Sequence, residues 1–239
     1  MIKIDINELT NFLERNPQMS LAPSHNNEYV VKGLLSLDIK SVTNGDIKDE
    51  FLIKIVIPKR FPKDTPTIYE MEGRFPKNAD FHTFLDGSLC LGSPLSLKKR
   101  LMDNPSLDGY IDSCVVPYFY AMALKLQGKE TFIFGELPHG QVGIIEDYLE
   151  IFGLKYIEQL IQLLGILSLK PNKGNKMKCP CGCNRIVTKC GLHKKIVEYR
   201  GVLTRREYDK EREDLVTVYG EIIKEQRNKG LLKKPIPYA

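Results

Sequence analysis

Ile6, Leu9, Phe12 and Leu13 recur at helical spacing behind Asp5. With Pro17 closing the run, residues 5–15 predict a short opening helix. Residues 29–40 (YVVKGLLSLDIK) and 51–57 (FLIKIVI) have strand character, and TNGD at 43–46 supplies a hairpin turn between them. Pro58, Pro62 and Pro66 then recur every four residues, which excludes helix and central strand and leaves a stiff extended connection. TIYEME at 67–72 predicts a third strand, so the first part of the chain is expected to form an antiparallel meander. From 73 to 105 the pattern lapses into a long loop, yet Phe75, Phe81, Phe84, Leu89 and Leu91 give it too many apolar anchors for disorder.

Helical periodicity returns at 107–126, with Tyr110, Ile111, Cys114, Val115, Tyr118, Phe119 and Met122 on the apolar side. Pro117 either kinks this helix or marks its true start. Residues 142–168 predict a strongly apolar helical region with a break at Gly153 or Gly165, and PNKGNK at 171–176 reads as a linker. Residues 204–229 predict a charged helix carrying a narrow stripe of Leu215, Val218, Ile222 and Ile223.

Charge divides the chain. Residues 1–169 carry 17 Lys/Arg against 22 Asp/Glu, a net −5, whereas 170–239 carry 18 against 8, a net +10. Two modules are therefore expected, 1–168 and 169–239. With 42% hydrophobic and 27% charged residues among 239, the composition suits a globular core. No apolar run approaches the roughly 18 residues of a membrane span, and MIKIDINELT lacks the apolar stretch of a signal peptide, so a soluble, cytoplasmic protein is the expectation.

Four of the six cysteines, Cys179, Cys181, Cys183 and Cys190, fall within twelve residues and are followed by His193. Such crowding is metal-ligand spacing rather than a disulfide framework, and thiolate and imidazole ligands in a Gly- and Pro-turned segment suit structural zinc. Five candidates compete for four places, with Cys181 and Cys183 the uncertain pair. Cys114 lies on the apolar side of its helix and is expected in the core.

Cys90, in DGSLCLG, stands apart from that cluster. Two readings compete: a nucleophile on a rigid loop, or a small buried apolar side chain. The wider order shifts the balance towards the nucleophile. An opening helix, a meander, Pro58-x-x-Phe61-Pro62-x-x-x-Pro66, a strand, His82, then Gly87-Ser88-Leu89-Cys90-Leu91 and a helix together resemble the ubiquitin-conjugating enzyme fold. GELPHGQVG at 135–143 is similar to the bacterial members, so the resemblance covers about residues 1–165.

The resemblance implies an α+β domain with an antiparallel meander flanked by helices, followed by the small zinc-binding module with its helix. It implies that Cys90 accepts a ubiquitin-like protein as a thioester from a ubiquitin-activating-like enzyme and passes it to an acceptor. By resemblance to bacterial operons of that kind, the pathway is one of antiviral defence. His82 matches the family histidine and either moves protons or shapes the loop. His139, in the His-Gly pair, either sits beside the cysteine or forms a turn. Asp108 and Asp112 fall where relatives carry an acidic residue that orients the incoming lysine, or are simply solvated.

One departure stands out. Thr83 and Phe84 follow His82 where the family has Pro and Asn. Phe84 cannot donate a hydrogen bond, and losing one oxyanion donor costs on the order of 2–4 kcal/mol in barrier. Thr83, Asn78 and Asn104 are candidate replacements. Without one, the final transfer would not be ordinary lysine modification. The rival reading, which the missing asparagine supports and Cys90 opposes, is an inactive binding module that keeps the fold to recognise a ubiquitin-like or other partner.

In the tail, CPCG and Cys190 look like the short SEC-C type zinc motif, although Gly191 stands where that motif has Cys or His, so His193 would have to serve. The +10 tail suits either an acidic protein partner, the preferred expectation, or nucleic acid. With Tyr199, Tyr208 and Tyr219 as its main aromatics, base stacking is weakly supported.

Overall fold

The longest ladder in the protein joins β2 (Tyr29–Ile39) to β3 (Ile47–Ile57) in an antiparallel hairpin running from Tyr29↔Ile57 to Ile39↔Ile47. Along β3, Ile47, Phe51, Ile53, Ile55 and Ile57 are all buried, while Lys48, Glu50 and Leu52 face outward. That period-2 alternation of β-branched and aromatic residues makes the segment a half-buried strand. In this computed structural model the described residues are 6–24, 28–43, 45–128 and 140–229.

The chain divides into two compact units, Met1–Gly140 and Gln141–Ala239. The first is α+β. Helix α1 (Ile6–Arg15) precedes a four-stranded antiparallel sheet in the order β1 (Met19–Ala22), β2, β3, β4 (Thr67–Glu70). The expected meander is present, with one strand more than the pattern predicted. β1 spans only four residues between Pro17 and Pro23, too few to show an alternation. It lies so close to β2 that a Cβ at Gly33 would come within 2.1 Å of the Gln18 carbonyl oxygen. Only glycine permits that approach.

The stretch read as a loop at 73–105 holds a 3-10 turn at Ala79–Phe81 and helix α2 (Pro94–Asp103). Ser93 caps α2, accepting from the Ser96 N–H at 3.2 Å, and Pro94 takes the first helical position, where its missing N–H costs nothing. The helical stretch expected at 107–126 is α3 (Leu107–Tyr110), a π turn at Ile111–Val115 and α4 (Val116–Leu126). Pro117 accounts for the π turn. It has no N–H to offer the carbonyl of Ser113, which instead accepts from Arg100 Nη1 on α2 at 2.6 Å. Cys114 is buried, as expected of a core residue.

The core between sheet and helices is aromatic: Phe51 lies 4.8 Å from Phe119 and 5.6 Å from Phe75, ring centre to ring centre. Arg74 clamps the chain entering this cluster. Its guanidinium spans both carboxylate oxygens of Asp49 at 2.6 and 3.1 Å, donates to the Glu50 carbonyl at 2.8 Å, and lies 4.2 Å over the Phe51 ring.

The second unit begins with α5 (Gln141–Phe152) and α6 (Ile157–Ser168), separated at Gly153, whose φ of +64° ends α5 in a left-handed turn. Gly165 stays within α6. Pro171–Gly174 forms a helical turn, α7, rather than the expected linker. Gly174 is buried there, and a Cβ on it would meet the Ile166 carbonyl at 2.7 Å. A short helix α8 (Leu192–Tyr199) and the long α9 (Arg205–Asn228) follow. α6 packs against α9, and Leu160, Leu163, Leu164 and Leu167 of α6 and Tyr208, Leu215 and Ile223 of α9 are all buried. This packing draws α5 and α6 into the same unit as the tail, so the division falls at Gly140 and not at the expected 168. Among the described residues no single helix is long and apolar enough to cross a membrane.

Candidate functional site

The segment around Cys90 is fixed by main-chain bonds before any side chain is considered. Asn78 caps the 3-10 turn, accepting from the Phe81 N–H at 3.1 Å, and His82 ends it in the left-handed region (φ 46°). Residues 83–89 then double back through a tight turn: Gly87 N–H donates to the Phe84 carbonyl at 2.8 Å, and Phe84 N–H to the Ser88 carbonyl at 2.9 Å. Gly87 takes φ +86° there, a conformation that glycine adopts without strain. Asp86 accepts from the N–H and hydroxyl of Ser88 at 2.9 and 2.6 Å. Leu89 N–H donates to the Ile68 carbonyl of β4 at 2.9 Å, which moors the return limb to the sheet edge. Cys90 N–H donates to the His82 carbonyl at 2.7 Å.

Cys90 and His82 are thus brought together through the backbone. Cys90 is half-buried. Burial pushes its thiol above the ordinary value, against a smaller downward pull from the Gly92 N–H. The protonated thiol is its resting form.

The three candidate donors make local hydrogen bonds, the two asparagines through their side-chain oxygens. Asn78 is engaged as a cap. Asn104 ends α2 and accepts from the Ser106 hydroxyl at 3.0 Å. The Thr83 hydroxyl donates to the Phe81 carbonyl at 3.0 Å. A residue that sequence reasoning had assigned only to an apolar helix side does enter the site: Tyr118 reaches from α4 to donate to the same Phe81 carbonyl at 2.7 Å, with its hydroxyl 3.4 Å from that of Thr83. Its phenol is pushed up chiefly by burial, against a smaller downward pull from the Thr83 hydroxyl. The signal for it was a tyrosine where a core helix would be equally served by phenylalanine.

Asp108 pairs with Arg15 of α1, and Glu8 of α1 accepts from the Leu107 N–H at 2.7 Å, so Asp108 helps hold α1 against α3. His139 lies outside the described residues. Phe84 and Leu85, at the tip of the turn preceding Cys90, are exposed.

In the second unit Cys179, Cys181, Cys183 and Cys190 converge, with their sulfurs all within 4.8 Å of one another. Cysteines at alternate positions of an extended chain would share one face but lie about 6.6 Å apart along it. Here Gly182 (φ +83°) and Asn184 (φ +56°) turn the chain so that the sulfurs converge, and both are residue types that tolerate the left-handed region. The turns bring backbone N–H groups onto sulfur: Cys181 N–H to Cys179, Cys183 N–H to Cys181 and Arg185 N–H to Cys183. Leu192 N–H completes the set on Cys190 at 3.5 Å. Cys179 N–H donates to the Arg185 carbonyl at 2.8 Å, which closes the hairpin.

Burial raises the thiols of Cys179 and Cys181, whereas the Arg185 N–H and its neighbours lower Cys183 to about 6. The spacing suits one ion. Thiolates about 2.3 Å from a tetrahedral metal lie about 3.8 Å apart, and the pairs Cys179–Cys181 and Cys181–Cys190 are 3.3 and 3.5 Å apart. These four cysteines could hold a metal ion. His193 is not part of the convergent group: its N–H donates to the Cys190 carbonyl at 3.1 Å, and its ring Nε2 is buried without a hydrogen-bond partner.

No protein-family model, curated protein or solved structure matches this chain.

Proposed function

We propose that the first unit is a ubiquitin-conjugating-like carrier that holds a ubiquitin-like protein as a thioester on Cys90. The observation that carries this reading is the setting of Cys90. It is half-buried on a loop that main-chain bonds tie both to β4 and to His82, after a helix and a four-stranded meander and before a helical layer.

In the forward step the Cys90 sulfur attacks the thioester carbonyl presented by an activating enzyme. A new S–C bond forms, the donor S–C bond breaks, and the Cys90 proton leaves with the donor sulfur. A thiol with a raised pKa is rarely ionised at neutrality, but once ionised it is a strong nucleophile and a poor leaving group. The acyl group on Cys90 is therefore kept until an amine or another thiol is delivered to it. The N–H of Gly92, already directed at the Cys90 sulfur, is a donor that can serve the reacting carbonyl.

The second unit is proposed to hold structural zinc on Cys179, Cys181, Cys183 and Cys190, since four thiolates in tetrahedral spacing suit Zn(II).

The test replaces the thiol by an amine. Cys90→Lys, expressed in its own host beside its neighbouring genes, should trap the cargo as an amide that reductant cannot cleave, seen as added intact mass mapping to residue 90 and absent from Cys90→Ala. A folded Cys90→Lys protein that stays unmodified in the presence of an expressed activating enzyme would leave the inactive binding module as the better reading.

A further inference from the structure

The excess positive charge of the second unit is not spread along it. Helix α9 interleaves both signs, with 6 Lys/Arg against 7 Asp/Glu, and is close to neutral. Residues 170–197, by contrast, hold eight Lys/Arg and no Asp/Glu. All eight are exposed. None is paired with a carboxylate among the described residues, and the repeated cations would be expected to repel one another unless a counter-charge were supplied from outside.

The local fold concentrates them. Convergence of the four sulfurs gathers 178–190 into one small knuckle, with Lys178 bridged opposite Ile186 and Arg185 beside it. Lys189 directly precedes Cys190, and Lys194 lies on the first turn of α8, which starts two residues after that cysteine. Cys179 is buried, Cys181, Cys183 and Cys190 are half-buried, and Arg185 bonds the Cys183 sulfur, so the cysteines offset part of this charge and leave the lysines exposed around them.

We propose that residues 170–197 form a sequence-independent binding surface for the phosphate backbone of duplex nucleic acid. Phosphates are the ligand that a dense cationic surface without acidic residues accommodates best. The choice of duplex over single strand follows from composition, because the segment contains no Phe, Tyr or Trp. Single-strand binding draws on aromatic platforms for the bases, and backbone binding to a duplex does not. This site does not depend on the carrier reading of Cys90.

The test uses the full-length protein and a fluorescein-labelled 20-base-pair DNA duplex of arbitrary sequence, followed by anisotropy. Binding is expected at 50 mM salt and should weaken on the order of 100-fold by 200 mM, as for about four phosphate contacts. Joint replacement Lys173→Glu, Lys178→Glu, Lys189→Glu and Lys194→Glu should weaken binding at least about tenfold and flatten the salt dependence. Lys32→Glu with Lys48→Glu, on exposed sheet positions of the first unit, should leave it unchanged. The same four positions changed to Gln give a second series, and circular dichroism checks that each variant is folded. No binding at 50 mM, salt-insensitive binding, or wild-type affinity in folded four-site variants would overturn the proposal. So would binding of polyglutamate in preference to the duplex, which would assign the surface to an acidic protein.

Discussion

At the scale of single residues, Cys90 was legible in the sequence and Tyr118 was not. Gly87-Ser88-Leu89-Cys90-Leu91 shows a thiol between turn residues, and turns are set locally. The bond from Tyr118 to the Phe81 carbonyl joins positions 37 apart, and no local spacing reveals it. Two predictions belong here. Because burial raises the Cys90 thiol, its alkylation by iodoacetamide, followed by peptide mass spectrometry, should reach half its maximal rate at a pH above that of a free cysteine. A midpoint near neutrality would mean an activated thiolate and would contradict the protected resting state described above. Tyr118→Phe should lower stability by about 1 kcal/mol, measured by urea midpoint, because the Phe81 carbonyl loses its strongest partner. The same variant should speed alkylation of Cys90 at fixed pH, as the turn that shelters it loosens. A stability loss without faster alkylation would leave Tyr118 a core residue with no part in the site.

Elements were readable where periodicity extended over several residues and hidden where one capping contact or a few pairings made them. β2 and β3 each span eleven residues, and α9 twenty-four, so their patterns repeat enough to be seen. Helix α2 has only Leu95 and Leu101 fully buried among basic residues, and its clearest signal is the Ser93-Pro94 start. That start makes α2 sensitive: Ser93→Ala should cost about 1 kcal/mol, with hydrogen exchange accelerated in the first turn of α2 next to the Cys90 loop. Unchanged exchange there would show that Pro94 and packing suffice. The clamp between β3 and the chain leaving β4 is a pH-dependent element. Arg74 holds the Asp49 carboxyl below its ordinary 3.8, so the clamp contributes above about pH 4 and is lost as the carboxyl protonates at lower pH. Asp49→Asn should therefore be less stable at neutrality and show a flatter acid limb in a urea-midpoint series against pH. An acid limb as steep as wild type would place the acid sensitivity elsewhere.

For the molecule as a whole, the charge boundary at 169 and the packing boundary at 140 differ because they report different things. Charge is a property of surface, and it changes where the cationic knuckle begins. Packing follows buried apolar faces, and the faces of α5 and α6 are buried with α9, beyond the knuckle in the chain. The second unit consequently contains two kinds of stabilisation. The α6–α9 contact is an apolar core of the usual sort, whereas the knuckle buries few apolar residues of its own, chiefly Val187 and Ile196. A segment so poor in core would depend on the proposed metal, as small metal-bound modules do. Purified protein should therefore contain close to one equivalent of zinc. Its removal by a chelator should open Cys179, Cys181, Cys183 and Cys190 to alkylation and cost the helicity of α8, while α5, α6 and α9 persist. The alkylation rate of Cys90 should not change, because the bonds that hold its loop lie within the first unit. Calorimetry gives the same partition independently: chelation should lower a transition belonging to the second unit and leave that of the first in place. If instead the four cysteines are freely alkylated before chelation and the thermogram does not respond to it, the convergence of sulfurs is held by packing alone and the zinc assignment fails.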